Sequence, residues 1–307
     1  MTRQQANLLL LLITIGWGSS YLFTKLSLRE LEPIGLVGLR FFIAFIITFI
    51  FFFPKLKHAI KQTYAASSIL GILLASVSIT FSYSLKTVNA STASFLVATT
   101  VIFVPIIMTI ITRKIPNRSI VIGAFVALIG LAVFTLKGTF TFTSGMLLCL
   151  FSAFLYALHI VLNNYFVREH DGLQLGVLQL GFAGLCSLIL STFLEGFHLP
   201  STLFGWSSLL GLAIVCSAFA VIAQSMVQKY TTAVATGFIL STEPIFAALL
   251  GFIFLNEHMT PKEYIGAAII FCGVIIANIN LNHFHSLISS KFSKFKKSKK
   301  QLAPTKL

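Results

Sequence analysis

The sequence predicts an all-α membrane protein of ten transmembrane helices, arranged as two five-helix repeats of inverted topology. Three observations predict it. Ten apolar runs, each near the 20 residues or so that cross about 30 Å of hydrocarbon, fill the chain. The basic residues gather in alternate connections between those runs. The second half of the chain also echoes the first. With 57% hydrophobic and 10% charged residues, and a mean hydropathy of +0.94, the 307-residue chain differs from a soluble domain, which carries about 25% charged residues. That composition excludes a disordered chain and a separate soluble catalytic domain.

Each run has its own signature. The first, 6–24, follows Arg3 but continues through Gly16-Trp17-Gly18-Ser19-Ser20 with no small-x-small cleavage pattern, so it reads as a retained helix and not a signal peptide. The second, 34–53, opens at Pro33 and carries Arg40; the third, 66–86, and the fourth, 91–112, are rich in hydroxyls. The fifth, 119–136, holds Gly123 and Gly130, which suit close helix packing. In the sixth, 143–163, spacings of three and four put Tyr156, His159 and Asn163 on one face. The seventh, 173–194, and eighth, 205–228, contain Gln179 and Gln224; the ninth, 233–255, contains Glu243-Pro244; the tenth is 263–281. Cys149, Cys186, Cys216 and Cys272 fall inside these runs without metal-ligand or CxxC spacing and read as small core residues.

Charge orients the bundle. Sixteen Lys and Arg fall on the side of Arg3, Lys55, Lys57, Lys61, Arg113, Lys114, Arg118, Arg168, Lys229 and the tail, against five (Lys25, Arg29, Lys86, Lys137, Lys262) on the other. An excess of this kind marks the cytoplasmic side, so both termini are expected there, in a cell or inner membrane. The chain divides into a first repeat over 1–138, a second over 139–281 and a basic cytoplasmic tail over 282–307. The tail holds seven lysines and supplies half of the net charge of +14; anionic lipid headgroups attract such a segment by about 1 kcal/mol per Lys. Nothing else carries a nucleic-acid footprint, so no nucleic-acid partner is expected. A monomer is the working expectation.

Within the repeat, Pro105 aligns with Pro244 at an offset of 139, while Ile122-Gly123-Ala124 aligns with Ile265-Gly266-Ala267 and Gly130 with Gly273 at an offset of 143. That change places four extra residues near Asn256–Thr260. Five spans per unit make the second unit enter the membrane from the opposite side, an architecture typical of transporters with a substrate site between the repeats. Pro105 and Pro244 are the expected helix breaks, each freeing a carbonyl one turn back, near Val101 and Leu240. A tolerated kink is the alternative.

The chain resembles the drug/metabolite transporter superfamily, and within it the EamA family, over about residues 6–281. The resemblance rests on Gly16-Trp17-Gly18-Ser19-Ser20 with Lys25, on Arg40-Phe41, on Thr242-Glu243-Pro244-Ile245-Phe246-Ala247-Ala248, on Leu255-Asn256-Glu257, and on Ile265-Gly266-Ala267-Ala268 with Gly273-Val274. It implies ten helices, two inverted repeats and secondary transport of small organic metabolites, with many members exporting amino acids or related compounds. The first repeat departs from the pattern: Arg113-Lys114 stands where members often carry an acidic residue, and Val104 precedes its proline. Carboxylate chemistry is therefore expected in the second half.

An ionisable group inside the bilayer is costly unless paired, protonated or hydrated, so each is a functional candidate. Glu243 is the only carboxylate deep in a span, which makes it the candidate for ion coupling or for a cationic partner; the alternative is a neutral acid bonded to a freed carbonyl. Arg40 suits a substrate carboxylate; the alternatives are snorkelling or a pair with Glu30 or Glu32. Lys25 is expected to snorkel. His159 is either a satisfied core residue or a proton relay. Gln179 and Gln224 either touch substrate or join helices. Trp17, Ser20, Tyr21, Tyr83, Thr99, Tyr156 and Asn163 complete the expected cavity, lined by spans one, three, four, six, eight and nine.

No P-loop, dinucleotide fingerprint, HExxH or GxSxG occurs. His283-Phe284-His285 lacks the neighbours of a metal site, so neither metal nor cofactor is expected. The expected activity is secondary transport by alternating access, most readily export, not enzymatic turnover. The alternatives are an importer or exchanger of the same fold and, behind these, an intramembrane enzyme.

Overall fold

The computed structural model of the chain describes residues 1–113, 116–135 and 143–278. The basic tail with its HxH pair, Lys114, Lys137 and the division expected at 138/139 lie outside the described residues. The described residues form α1 (Arg3–Ser27), α2 (Pro33–Leu56), α3 (Lys61–Leu85), α4 (Ala90–Val97), α5 (Thr100–Thr112), α6 (Arg118–Thr135) and α7 (Ser144–Phe166). They continue with α8 (Gly172–Leu194), α9 (Leu203–Gly211), a π-helical stretch over Leu212–Phe219, α10 (Ala220–Gln228), α11 (Ala233–Leu240), α12 (Glu243–Leu255) and α13 (Pro261–Asn278). No strand occurs among the described residues.

This is an all-α membrane protein. Eight helical stretches are long and apolar enough to cross a bilayer; α4 with α5, α9 through α10, and α11 with α12 each count as one. The paired helices α6 and α13, 18 residues each, bring the number to ten. At 1.5 Å per residue, 18 residues reach about 27 Å. The fold falls on the ten apolar runs because in hydrocarbon a chain satisfies its backbone only within helices or a closed barrel.

Two spans are broken, and proline does not make both breaks. The interruptions are Ala98-Thr99 and Ser241-Thr242. Hydroxyls take up the carbonyls they leave: Thr99 Oγ1 donates to Leu96 O at 2.6 Å and Thr100 Oγ1 to Val97 O at 2.6 Å. In the second break Ser241 Oγ donates to Phe238 O at 2.6 Å and Thr242 Oγ1 to Ile239 O at 2.7 Å. The same bonds occur inside unbroken α1 at Thr14 and Ser19, so they satisfy carbonyls at the breaks without by themselves parting the helix. Pro244 is the second residue of α12, where its missing N–H has no helical partner to lose. Pro105 lies inside α5, past the break, so its expected role as a helix-break is corrected.

The repeat register is corrected as well. Ala90–Val97 and Ala233–Leu240, Thr100–Thr112 and Glu243–Leu255, and Arg118–Thr135 and Pro261–Asn278 all correspond at 143 positions. Arg113 and Asn256, also 143 apart, both end their helices in the left-handed region, at φ 54° and 52°. Before that, α2 and α8 begin 139 positions apart. The four extra residues therefore lie in the α8–α9 connection, Glu195–Thr202, and not near Asn256–Thr260.

The two halves interlock. α1 packs on α12 and α10, α2 on α8, α3 on α7 and α8, and α6 on α13. Gly273 shows why glycine is needed in the last pair: an added Cβ would sit 2.6 Å from both Ala127 N and Gly123 O. Gly18 does the same for α1, where an added Cβ would overlap Phe246 Cβ and approach Glu243 O. That close crossing brings the aromatic residues of α1 against the start of α12.

Candidate functional site

A narrow cavity of about 80 Å³ lies at the centre of the bundle. Six of the twelve expected residues line it: Trp17, Ser20 and Tyr21 from α1, Arg40 from α2, Tyr156 from α7 and Glu243 from α12. Phe41, Phe81, Ser78, Ser152 and Val221 are also in the wall, so the second span contributes as well as those expected. A smaller void continues past Tyr21, Tyr156 and Glu243 to Ser94, Thr100 and Ser241. It therefore abuts both helix breaks, and Glu243, the first residue of α12, stands between the two spaces.

Trp17 packs edge-on against Tyr156 with ring centroids 5.8 Å apart, and Tyr21 edge-on against Phe81 at 4.8 Å. The Tyr21 hydroxyl faces the Glu243 carboxyl. Trp17 Nε1–H donates to Cys216 O at 2.8 Å, and Cys216 Sγ donates to Gly16 O at 3.1 Å. The Gly16-Trp17 segment is thereby fastened to the π-helical stretch. Sequence reasoning found Trp17 but not its anchor, because a backbone carbonyl exposed by π-helical turns leaves no residue signature.

Arg40 is 6% exposed and turns inward. Its Nε donates to Ser217 Oγ at 3.0 Å, and its guanidinium carbon lies 4.7 Å from the centroid of the Phe41 ring. Ser217 Oγ in turn donates to Leu212 O, five residues back, at 2.9 Å, again using the π-helical geometry. Among the described residues no carboxylate lies within ion-pair distance of Arg40. Neither Glu30 nor Glu32 is its partner.

Those carboxylates are engaged elsewhere, at the face that holds Lys25 and Lys86. Glu30 accepts from Ser201 N at 2.8 Å and Thr202 N at 3.1 Å, and from both hydroxyls. The Thr202 hydroxyl foremost holds the Glu30 carboxyl below its ordinary range. Glu32 pairs with Lys86 at 2.6 Å. Glu195 caps the start of α2, accepting from Ile34 N at 2.9 Å and Gly35 N at 3.0 Å, and takes the Tyr83 hydroxyl at 2.6 Å. Glu257 caps α4, accepting from Ala90 N at 2.9 Å and Ser91 N at 3.1 Å, and pairs with Lys25 at 2.9 Å. Burial acts to raise the Glu257 carboxyl, but Lys25 and the two amides outweigh it and hold it below its ordinary range. Lys25 therefore does not snorkel; it is bonded across the two halves.

The remaining expected residues lie outside the main cavity. Tyr83 belongs to the Glu195 cluster, and Thr99 bonds its own helix at the first break. His159, Asn163, Gln179 and Gln224 lie further along, toward the face that carries Arg168 and Lys229. There His159 Nε2 meets Gln179 Oε1 at 2.8 Å, Gln179 Nε2 donates to Ser225 Oγ at 2.9 Å, and Ser225 Oγ donates to Asn163 Oδ1 at 3.2 Å. No cluster of His, Cys, Asp and Glu suited to a metal occurs among the described residues.

The geometry is that of a narrow cavity lined by helices of both interlocked halves. A solved crystal structure superimposes with a TM-score of 0.69 over 90% of this chain and 97% of its own, at 17% identity, which speaks to the fold alone. An uncharacterized transporter of Archaeoglobus fulgidus is 29% identical over 287 residues, 91% of this chain and 87% of that one. The uncharacterized transporter YoaV of Bacillus subtilis is 24% identical over 274 residues, 86% and 93% of the two chains. The profile of the EamA-like transporter family matches residues 4–136 and again 143–279, so two successive matches to one profile cover nearly every described residue. The chain belongs to the EamA-like transporter family and is an integral membrane transporter.

Proposed function

We propose that the protein is a secondary transporter that exports amino acids or related compounds by alternating access. The observation that carries this reading is the placement of Arg40 and Glu243 in one central cavity between the halves. A buried cation without a carboxylate partner suits a substrate carboxylate, and a buried acid beside it suits an ammonium group or a proton. The rings of Trp17, Tyr21 and Tyr156 favour a partly apolar substrate. The cavity is small beside the 300–1,000 Å³ or so of ordinary ligand sites, so loaded states are wider than this one.

The two matches to one family profile, each covering five spans, support two repeats of opposite topology. The face rich in Lys and Arg is cytoplasmic in this reading, with both termini on it. The Glu30, Glu195 and Glu257 clusters then close the outer face. Counterflow in proteoliposomes tests the proposal. Labelled amino acid should accumulate against preloaded unlabelled compound, and exchange of a different metabolite class alone would overturn the substrate assignment.

A further inference from the structure

Beyond the central cavity, α7 and α10 run side by side toward the cytoplasmic face. Both leave the cavity together, at Tyr156 and Val221. One turn on, α7 presents His159 and α10 presents Gln224; a further turn brings Asn163 and Gln228, whose side chains bond directly. Asn164 Nδ2 adds bonds to Gln228 O at 2.9 Å and Thr231 O at 3.1 Å. Past Val221 these positions are polar, carry no acidic or permanently cationic side chain, and end at this amide closure.

Its polar atoms are unevenly satisfied. Gln224 is 1% exposed, yet neither its Nε2 nor its Oε1 has a hydrogen-bond partner. Tyr156 Oη, His159 Nδ1 and Gln228 Nε2 are buried and unpartnered too. With Nε2–H donating to Gln179, His159 Nδ1 is a bare acceptor. A buried polar atom without a partner is rare and costs about 1–3 kcal/mol. Five of the ten such atoms among the described residues lie along this seam, which starts from the cavity at Tyr156 and Val221, and outside it the orphans are helix hydroxyls; Gln224 alone has a whole amide without a partner.

We propose that the α7–α10 seam is the cytoplasmic passage to the central site, that Gln224 binds the substrate midway along it, and that the Asn163–Gln228 bond closes it. The group recognised there is a polar head that both donates and accepts hydrogen bonds. This inference rests on the transport reading and deepens it.

Two measurements test it. Gln224→Met keeps the volume and removes the orphaned amide. Its melting temperature should equal or exceed the wild type, while kcat/KM for counterflow falls at least tenfold. Unchanged transport overturns the proposal, as does a lowered melting temperature with proportionate loss, which marks a structural amide. Gln224→Cys, in a background with the four native cysteines replaced, should react with a membrane-impermeant thiol reagent from the cytoplasmic side. The control Ile69→Cys, on an exposed apolar face of α3 away from the seam, should not. No reaction, or reaction from the outer side only, overturns the passage. If wild-type protein moves no metabolite, the transport reading fails, and the labelling still reports on the seam.

Discussion

Lys25 Nζ lies 2.9 Å from Glu257 Oε1 and ties the end of α1 to the connection between α12 and α13. The pair is unequal. Lys25 has this one partner, whereas Glu257 also holds the first two amides of α4 and the Ser91 hydroxyl. A charged acceptor at a helix start is favoured by both hydrogen bonding and the helix dipole. Glu257→Gln should therefore destabilise the protein more than Lys25→Met. We expect about 1.5–3 kcal/mol for the first and no more than about 1 kcal/mol for the second. Denaturation of the purified variants checks the order, and an equal loss would mean that the ion pair alone carries the contact.

The same cluster should weaken in acid. The folded Glu257 carboxyl lies below its ordinary value of 4.5. The folded state thus binds fewer protons than the unfolded one in that range, and stability rises with pH there. The contribution is complete above about 4.5 and disappears as pH falls through the lower folded value. Glu30 shifts in the same direction and adds to the trend. The gap in melting temperature between wild type and Glu257→Gln should be constant from pH 7 to 5 and close below that. A gap that does not narrow at all as pH falls below about 4.5 would contradict the assignment.

Arg40 separates structural from functional electrostatics. A buried cation with no ion-pair partner among the described residues offsets its desolvation with one Ser217 bond and the Phe41 face. Arg40→Met should leave stability unchanged or raise it, and Ser217 keeps its bond to Leu212 O. Transport should fall at least tenfold, as the loss of a charged hydrogen bond worth roughly 1.5–3 kcal/mol dictates. Arg40→Lys should recover little, because a point charge replaces a planar fork. Paired melting and counterflow measurements decide it: a large loss of stability in Arg40→Met makes the residue structural.

The ten spans were legible because each is an apolar run of membrane length, and no other signal was needed. The breaks were misread where proline stood in for the cause. At Thr99-Thr100 and Ser241-Thr242 hydroxyls bond carbonyls three residues back, but Thr14 and Ser19 do the same in unbroken α1, so hydroxyl content alone does not mark the breaks. The π-helical stretch was invisible, since Leu212–Phe219 reads as ordinary apolar helix. The site was half legible. Residues whose burial is costly, such as Arg40 and Glu243, announce themselves from sequence. Partner choice does not: the Lys25–Glu257 bond spans 232 positions, and only tertiary packing brings the two together.

Gly273 tests the α6–α13 pair. The backbones of the α6–α13 pair approach closely at Gly130, Gly266 and Gly273. Small residues drive such association because dispersion contacts and weak hydrogen bonds need close backbones. A methyl at 273 meets Ala127 N and Gly123 O, both backbone atoms that cannot turn aside. Gly273→Ala should cost about 1–3 kcal/mol through overpacking, and Gly273→Val more. The central cavity lies away from this pair, so residual folded protein should keep its KM while its melting temperature drops. A neutral Gly273→Ala would mean that α6 and α13 separate without penalty, and that this pair moves freely during transport.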